Sequence, residues 1–165
     1  MKKLISLKNL LFCAMLVVTM SLNTVNVHAG ALDYLGNTID ESKLTDEVES
    51  SGIYQSVARS TYLHQGFVRI TNNGNGYVGI GAGTECNVVC GTIKLNVYLE
   101  RSSGDGNFYS YMKWENVDYN EASLYLDKEV KVEKGYYYRL RGYHSCKKNG
   151  VTENGGSRTD GIYIG

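Results

Sequence analysis

The 165-residue chain contains no proline. Any sheet it forms must therefore protect its edges with charge and bulges, because the residue that most simply blocks strand addition is missing. A surplus of one charge is missing too: 17 Lys and Arg stand against 17 Asp and Glu. Phosphate binding needs a clear positive field, so this balance argues against DNA or RNA as a partner. No stretch after residue 29 repeats apolar residues at helical spacing, which points away from helical folds. Catalytic signatures are also lacking. The Gly-rich run from Gly74 to Gly83 is followed by neither Gly-Lys-Ser/Thr nor a helix, so it cannot cradle a phosphate in the usual way. Gly-x-Ser-x-Gly and the zinc-protease His-Glu pattern do not occur. Each Asp or Glu falls in a turn or on an outward strand face, which leaves no carboxylate pair for glycoside hydrolysis. The expectation is a non-catalytic protein without a cofactor.

What is present begins with an export signal. Lys2, Lys3 and Lys8 form a basic start, Leu10 to Met20 an apolar stretch, and Val27-His28-Ala29 a small-residue cleavage site. Residues 1–29 read as a signal peptide. The apolar run is too short to span the ~30 Å hydrocarbon core as an anchor. The protein is thus expected to be secreted, extracellular and free of the membrane after cleavage, with Cys13 removed. The remainder carries 14 basic and 17 acidic residues, since the leader takes three Lys and no acid. Residues 30–59 hold six carboxylates (Asp33, Asp40, Glu41, Asp46, Glu47, Glu49) against Lys43 and Arg59. Their isolated apolar residues bury too little surface to offset backbone ordering, so this segment reads as an acidic flexible arm or linker.

Residues 60–165 read as one β-domain. Phe67–Thr71 and Tyr77–Gly81 alternate around Asn72-Asn73-Gly74-Asn75-Gly76, a strong hairpin signal. Thr92–Arg101 places Ile93, Leu95, Val97 and Leu99 on one face and polar residues on the other. Phe108, Met112 and Trp114 share the expected inner face of the next strand, with Tyr109, Tyr111 and Lys113 outward. Lys128 falls on the inner face of the following strand, so a bulge or break is expected there. In Tyr136–Cys146, Tyr136, Tyr138, Leu140, Gly142, His144 and Cys146 share one face, and Tyr137, Arg139, Arg141, Tyr143 and Ser145 the other. Asn149-Gly150 supplies the positive φ angles of a type I′ hairpin turn. A last strand ends with Gly161-Ile162-Tyr163-Ile164-Gly165. This describes an all-β fold: a single immunoglobulin or fibronectin type III-like β-sandwich of about seven antiparallel strands. Tyr136, opening the penultimate strand, is the candidate for a tyrosine corner.

Tyr62, Tyr98-Leu99-Glu100-Arg101, Trp114, the run Gly135-Tyr136-Tyr137-Tyr138-Arg139-Leu140-Arg141-Gly142-Tyr143-His144, and Asn149-Gly150-Val151-Thr152-Glu153 together carry a resemblance. Over residues 60–165 the chain resembles a family of small secreted proteins from Gram-positive gut anaerobes, known only as a domain of unknown function. The Gly135–His144 run is its most specific part, and more distantly it is similar to the penultimate strand of fibronectin type III domains. Neither resemblance implies an activity or a set of functional residues.

Two constellations could carry function. Cys86, Cys90 and Cys146 remain after the leader. If Thr92–Arg101 pairs antiparallel with Tyr136–Cys146, Cys90 lies beside Cys146, and export favours a disulfide between them. Cys86–Cys90 and Cys86–Cys146 stay open as rivals. A Cys₃His metal site from Cys86, Cys90, His144 and Cys146 is a sharper alternative, and a Cys–His nucleophilic dyad a further one. The second constellation is aromatic. Of the 14 Tyr, alternation sends Tyr98, Tyr109, Tyr111, Tyr125, Tyr137 and Tyr143 outward. With Arg139 and Arg141, Tyr137, Tyr143, Tyr109 and Tyr111 form the candidate platform for an extracellular glycan or protein. Cross-strand pairing also explains them, as in a structural or effector protein without a platform. A monomer is expected.

Overall fold

The structure, a computed structural model, describes residues 43–55 and 60–165. The expected signal peptide and residues 30–42 and 56–59 of the expected arm lie outside the described residues. The chain forms β1 (Leu44–Thr45), β2 (Glu49–Gln55), β3 (Leu63–Gly74), β4 (Tyr77–Cys90), β5 (Thr92–Ser102), β6 (Tyr109–Asp118), β7 (Glu121–Lys131), β8 (Tyr136–Lys148), β9 (Val151–Arg158) and β10 (Gly161–Ile164). One sheet runs β1-β10-β8-β5-β6, with β9 also on β8, and the other runs β2-β3-β4-β7. Their inner faces pack together. Val68, Ile70, Val78, Ile80 and Ala82 from the four-stranded sheet meet Leu95, Val97, Leu99, Tyr138, Leu140, Ile162 and Ile164 in one core.

The strand count is about ten rather than seven, and one pair, β1 with β10, is parallel. Two additions come from the segment read as a flexible arm: β2 pairs with β3 from Glu49↔Thr71 to Gln55↔Gln65. Its hydrophobic pattern hides it. Ile53 points outward and is 63% exposed, whereas Gly52 faces inward because a Cβ there would lie 1.8 Å from the Arg158 carbonyl oxygen. Close backbone approach, not apolar burial, selects the residue. The third addition arises because the last strand is broken: β9 pairs with β8 from Arg141 to Lys148, and β10 pairs with it at Tyr136–Tyr138.

The strong local signals hold. Asn149 and Gly150 have φ of 51° and 80°, and Lys148↔Val151 closes the two-residue hairpin. Alternation along β8 is as read, with Tyr138, Leu140, Gly142, His144 and Cys146 buried. Lys128 needs no bulge: β7 pairs in unbroken register with β4 from Lys131 to Ser123. As an edge strand, β7 lets Lys128 leave its inward position for solvent. The tyrosine corner exists but belongs to Tyr138, whose hydroxyl donates to the Glu133 carbonyl at 2.8 Å. Tyr136 instead lies under the Arg101 guanidinium, 4.4 Å from its ring centre.

Both sheets share a corner. β4 ends at Cys90 beside Glu121 of β7, and three residues on, past Gly91, Ile93 of β5 pairs with Asp118 of β6. Two neighbouring strands thus pass from one sheet to the other together, at Gly91 and at the Tyr119-Asn120 turn, where Asn120 takes φ of 57°. The candidate residues gather around this corner.

Candidate functional site

On the outer face of the six-stranded sheet, β5 and β8 stack side by side in the register Glu100↔Arg139, Tyr98↔Arg141, Asn96↔Tyr143, Lys94↔Ser145 and Thr92↔Lys147. The Arg139 end is closed. Its Nε donates to Glu100 at 2.8 Å, Arg141 reaches the other Glu100 oxygen at 2.9 Å, and Arg139 and Glu100 side chains are 7% and 6% exposed. Phe108, expected on the inner face, lies over the guanidinium with 4.0 Å from ring centre to Cζ. The strand β6 begins only at Tyr109, so Phe108 belongs to the preceding turn and folds outward as a cover. Burial draws the Arg139 pKa down, against the pull of Glu100. Arg139 is therefore a buried structural ion, not a surface contact.

The other expected platform residues are dispersed. Tyr137 is half-buried against Tyr163, with ring centres 5.2 Å apart. Tyr111 sits where the β5–β6 register shifts between Leu99 and Glu100; that irregularity turns it inward, edge-on to Tyr138 at 5.6 Å. Tyr109 is exposed at the start of β6, and Tyr125 lies on the other sheet, bonded to Glu85. Arg141 caps the Tyr98 ring at 5.1 Å.

Tyr143 opens onto a groove, of about 520 Å³, with Lys94 and Asn96 from β5, Lys147 from β8, Thr152 from β9 and Tyr119 from the corner turn. Gly156 is its cross-strand partner on β9, so no side chain covers the ring from that strand. Among the described residues no acidic side chain lines the groove, and Lys94 and Lys147 are exposed within it. Sequence reading placed Lys94 and Asn96 on the solvated face of their strand but missed the groove. Its wall is Tyr119, a turn residue brought over β5 only by the sheet-crossing corner.

At the inner side of the same corner, Cys86, Cys90 and Cys146 bring their Sγ atoms within 4.8 Å of one another. Cys90 and Cys146 are adjacent, as the strand pairing implied, yet all three are free thiols and no S–S bond joins them. Leu63, Tyr54 and Tyr62 pack around them. Burial pushes the Cys86 thiol up and Cys146 up to about 12. His144 does not join them. Its Nδ1 lies 2.9 Å from the Thr84 hydroxyl and its Nε2 2.7 Å from that of Ser157. Thr84 donates its proton to the Lys94 carbonyl, so Nδ1 is the donor to Thr84 and Nε2 accepts from Ser157. Both nitrogens are thereby used, and burial lowers the His144 pKa to about 4. His144 therefore stands outside the thiol cluster that it was expected to join as a fourth ligand or as the base of a dyad.

Glu153, opposite Cys146 on β9, closes the cluster from the side. Burial opposes its charge, but the Ser60 hydroxyl and the amides of Leu63, Thr61 and Tyr62 outweigh this and bring its pKa down to about 2.

Fold and corner define a two-sheet, all-β sandwich that carries a polar aromatic groove and a thiol cluster. The chain belongs to the family of unknown function DUF6147, whose profile matches residues 32–161. That match includes much of the segment read as an arm, in keeping with the strands β1 and β2 found there. No curated protein matches the chain.

Proposed function

We propose that this is a secreted, non-catalytic β-sandwich module that binds an extracellular glycan in the groove beside Tyr143. The observation that carries the reading is the pairing of two aromatic rings, Tyr143 and Tyr119, with Lys94, Lys147, Asn96 and Thr152 in a recess that no carboxylate among the described residues lines. Flat apolar faces suit sugar rings, amide and hydroxyl groups suit their hydroxyls, and two ammonium groups select glycans bearing carboxylate or sulfate. The basic start and apolar run of residues 1–20 support export. Binding is tested on an array of neutral, uronate-bearing and sulfated glycans, with a pull-down alongside. Tyr143→Ala and Lys147→Ala are expected to weaken acidic-glycan binding at least about tenfold, or ~1.4 kcal/mol, without moving the thermal midpoint. Capture of a protein in place of any glycan would replace the ligand class. Absence of any ligand would favour the second reading, a structural or effector protein. That reading rests on the scatter of Tyr109, Tyr125 and Tyr137 over different surfaces and on the inward turn of Tyr111.

A further inference from the structure

All three cysteines beyond the first 29 residues converge on one point, although they come from two strands and lie up to sixty positions apart. A disulfide would need only two. The route of the chain is more telling. In a straight strand, residues four apart stand about 13 Å from each other, whereas the sulfurs of Cys86 and Cys90 lie within 4.8 Å. Between Glu85↔Ser123 and Cys90↔Glu121, β4 advances five residues while β7 advances two. The three extra residues form an outward bulge, exposing Val88 and Val89. Backbone holds it there: the Asn87 amide donates to the Tyr62 carbonyl at 2.8 Å. The bulge spends two exposed valines to fold Cys-x₃-Cys into a chelating loop facing Cys146.

We infer that Cys86, Cys90 and Cys146 form a three-thiolate site for a thiophilic divalent cation of the zinc type. Zn–S bonds of about 2.3 Å put tetrahedral ligand sulfurs ~3.8 Å apart, so the cluster needs only a small contraction. A borderline-soft ion without geometric preference suits an all-sulfur set. Charge selects the valence. Three thiolates around a dication leave one negative charge, next to Lys148, whose ammonium donates to the carbonyl of Val89 at 2.7 Å. A monocation would leave two, with Glu153 across the strand pair. The fourth position belongs to a water entering beside half-exposed Cys86. Each thiol loses its proton to solvent on binding, so affinity rises with pH. The ion would tie the β4 bulge to β8 and pin the sheet-crossing corner.

The test titrates reduced, metal-free full-length chain with Zn²⁺ alone against a chromophoric chelator, with Co²⁺ as a spectroscopic substitute. The expected result is one ion per chain, a thiolate-to-cobalt charge-transfer band, and loss of all three thiols to a thiol reagent that returns on chelation. Cys86→Ser, at a half-exposed position, should stay folded by Trp114 fluorescence yet bind more than about 100-fold more weakly, while His64→Ala binds as the parent does. Sub-stoichiometric binding by the parent chain, equal binding by Cys86→Ser, or a Cys90–Cys146 disulfide formed with Zn²⁺ in excess would each overturn the site.

Discussion

Glu100 offers the most direct test of how the outer sheet face is built. Glu100→Gln keeps the shape and one acceptor oxygen but removes the charge that Arg139 faces at 2.8 Å. Arg139 is 6% exposed and Phe108 lies over it, so its guanidinium cannot turn to water without opening the 102–108 turn. Breaking a buried pair from one side costs about 3–5 kcal/mol. Gln still accepts a hydrogen bond and Arg141 is partly solvated, which sets the expectation at the lower end, about 3 kcal/mol. Urea unfolding followed by the single Trp, half-buried Trp114 of β6, reads this out. With a slope of about 2 kcal/mol per molar, the midpoint should fall by about 1.5 M. The double variant Glu100→Met with Arg139→Met removes both charges and keeps volume, so it should return to within about 1 kcal/mol of the parent. A single variant within 1 kcal/mol of the parent, or a double variant as unstable as the single one, would refute the buried pair.

Tyr138→Phe should cost about 0.5–1.5 kcal/mol, one buried hydrogen bond to the Glu133 carbonyl; an unchanged unfolding midpoint would remove the corner from Tyr138. Glu153 has a folded pKa of about 2 against an ordinary value of 4.5. A lowered carboxylate pKa adds stability that is complete above pH 4.5 and is lost as pH falls toward 2. Glu153→Gln should therefore cost about 1–2 kcal/mol at neutral pH, allowing for solvent screening, and the gap to the parent should close between pH 4.5 and 2. A gap independent of pH would assign the loss to packing.

The fold was legible wherever a period-two pattern coincided with a burial difference. β5 and β8 show it best, since each carries an apolar inner face against a polar outer one, and the Asn149-Gly150 turn fixed their neighbour. β2 was not legible, because of its inward positions Ser50, Gly52 and Tyr54 only the last is a large apolar residue, Gly52 being set by close approach to β9, while Ile53 faces out. Hydrophobicity reads burial of side chains and is blind to contact made by backbone. The tyrosine corner was assigned two residues early for a related reason: Tyr136 and Tyr138 share a face, and only the Lys134-Gly135 turn geometry decides which hydroxyl reaches Glu133.

Site residues divide along the same line. The contact between Cys90 and Cys146 follows from strand pairing, which the sequence pattern contains. The arrival of Cys86 depends on a three-residue bulge, which leaves no mark in apolar periodicity. Arg139 and Tyr143 look equivalent by alternation, four residues apart on one face, yet Phe108 folds over the first and Gly156 leaves the second open. What separates them is supplied by other segments.

The sheet-crossing corner explains why groove and thiol cluster lie so near one another and on opposite faces. β4 must turn out of its sheet at Cys90-Gly91 for β5 to enter the other. The turn places residues just before it, Cys86 and Cys90, on the inner side toward Cys146, and residues just after it, Thr92 and Lys94, on the outer side toward Lys147 and Ser145. The parallel crossing of β6 into β7 brings Tyr119 over the same outer face. One backbone bend therefore generates both features, but their side chains point away from each other through the thickness of a single sheet. A loss of glycan binding in Tyr143→Ala and a loss of metal binding in Cys86→Ser can accordingly be read as separate events. Loss of both in either variant would mean instead that the corner itself had given way, which the Trp114 signal on the adjoining strand would report.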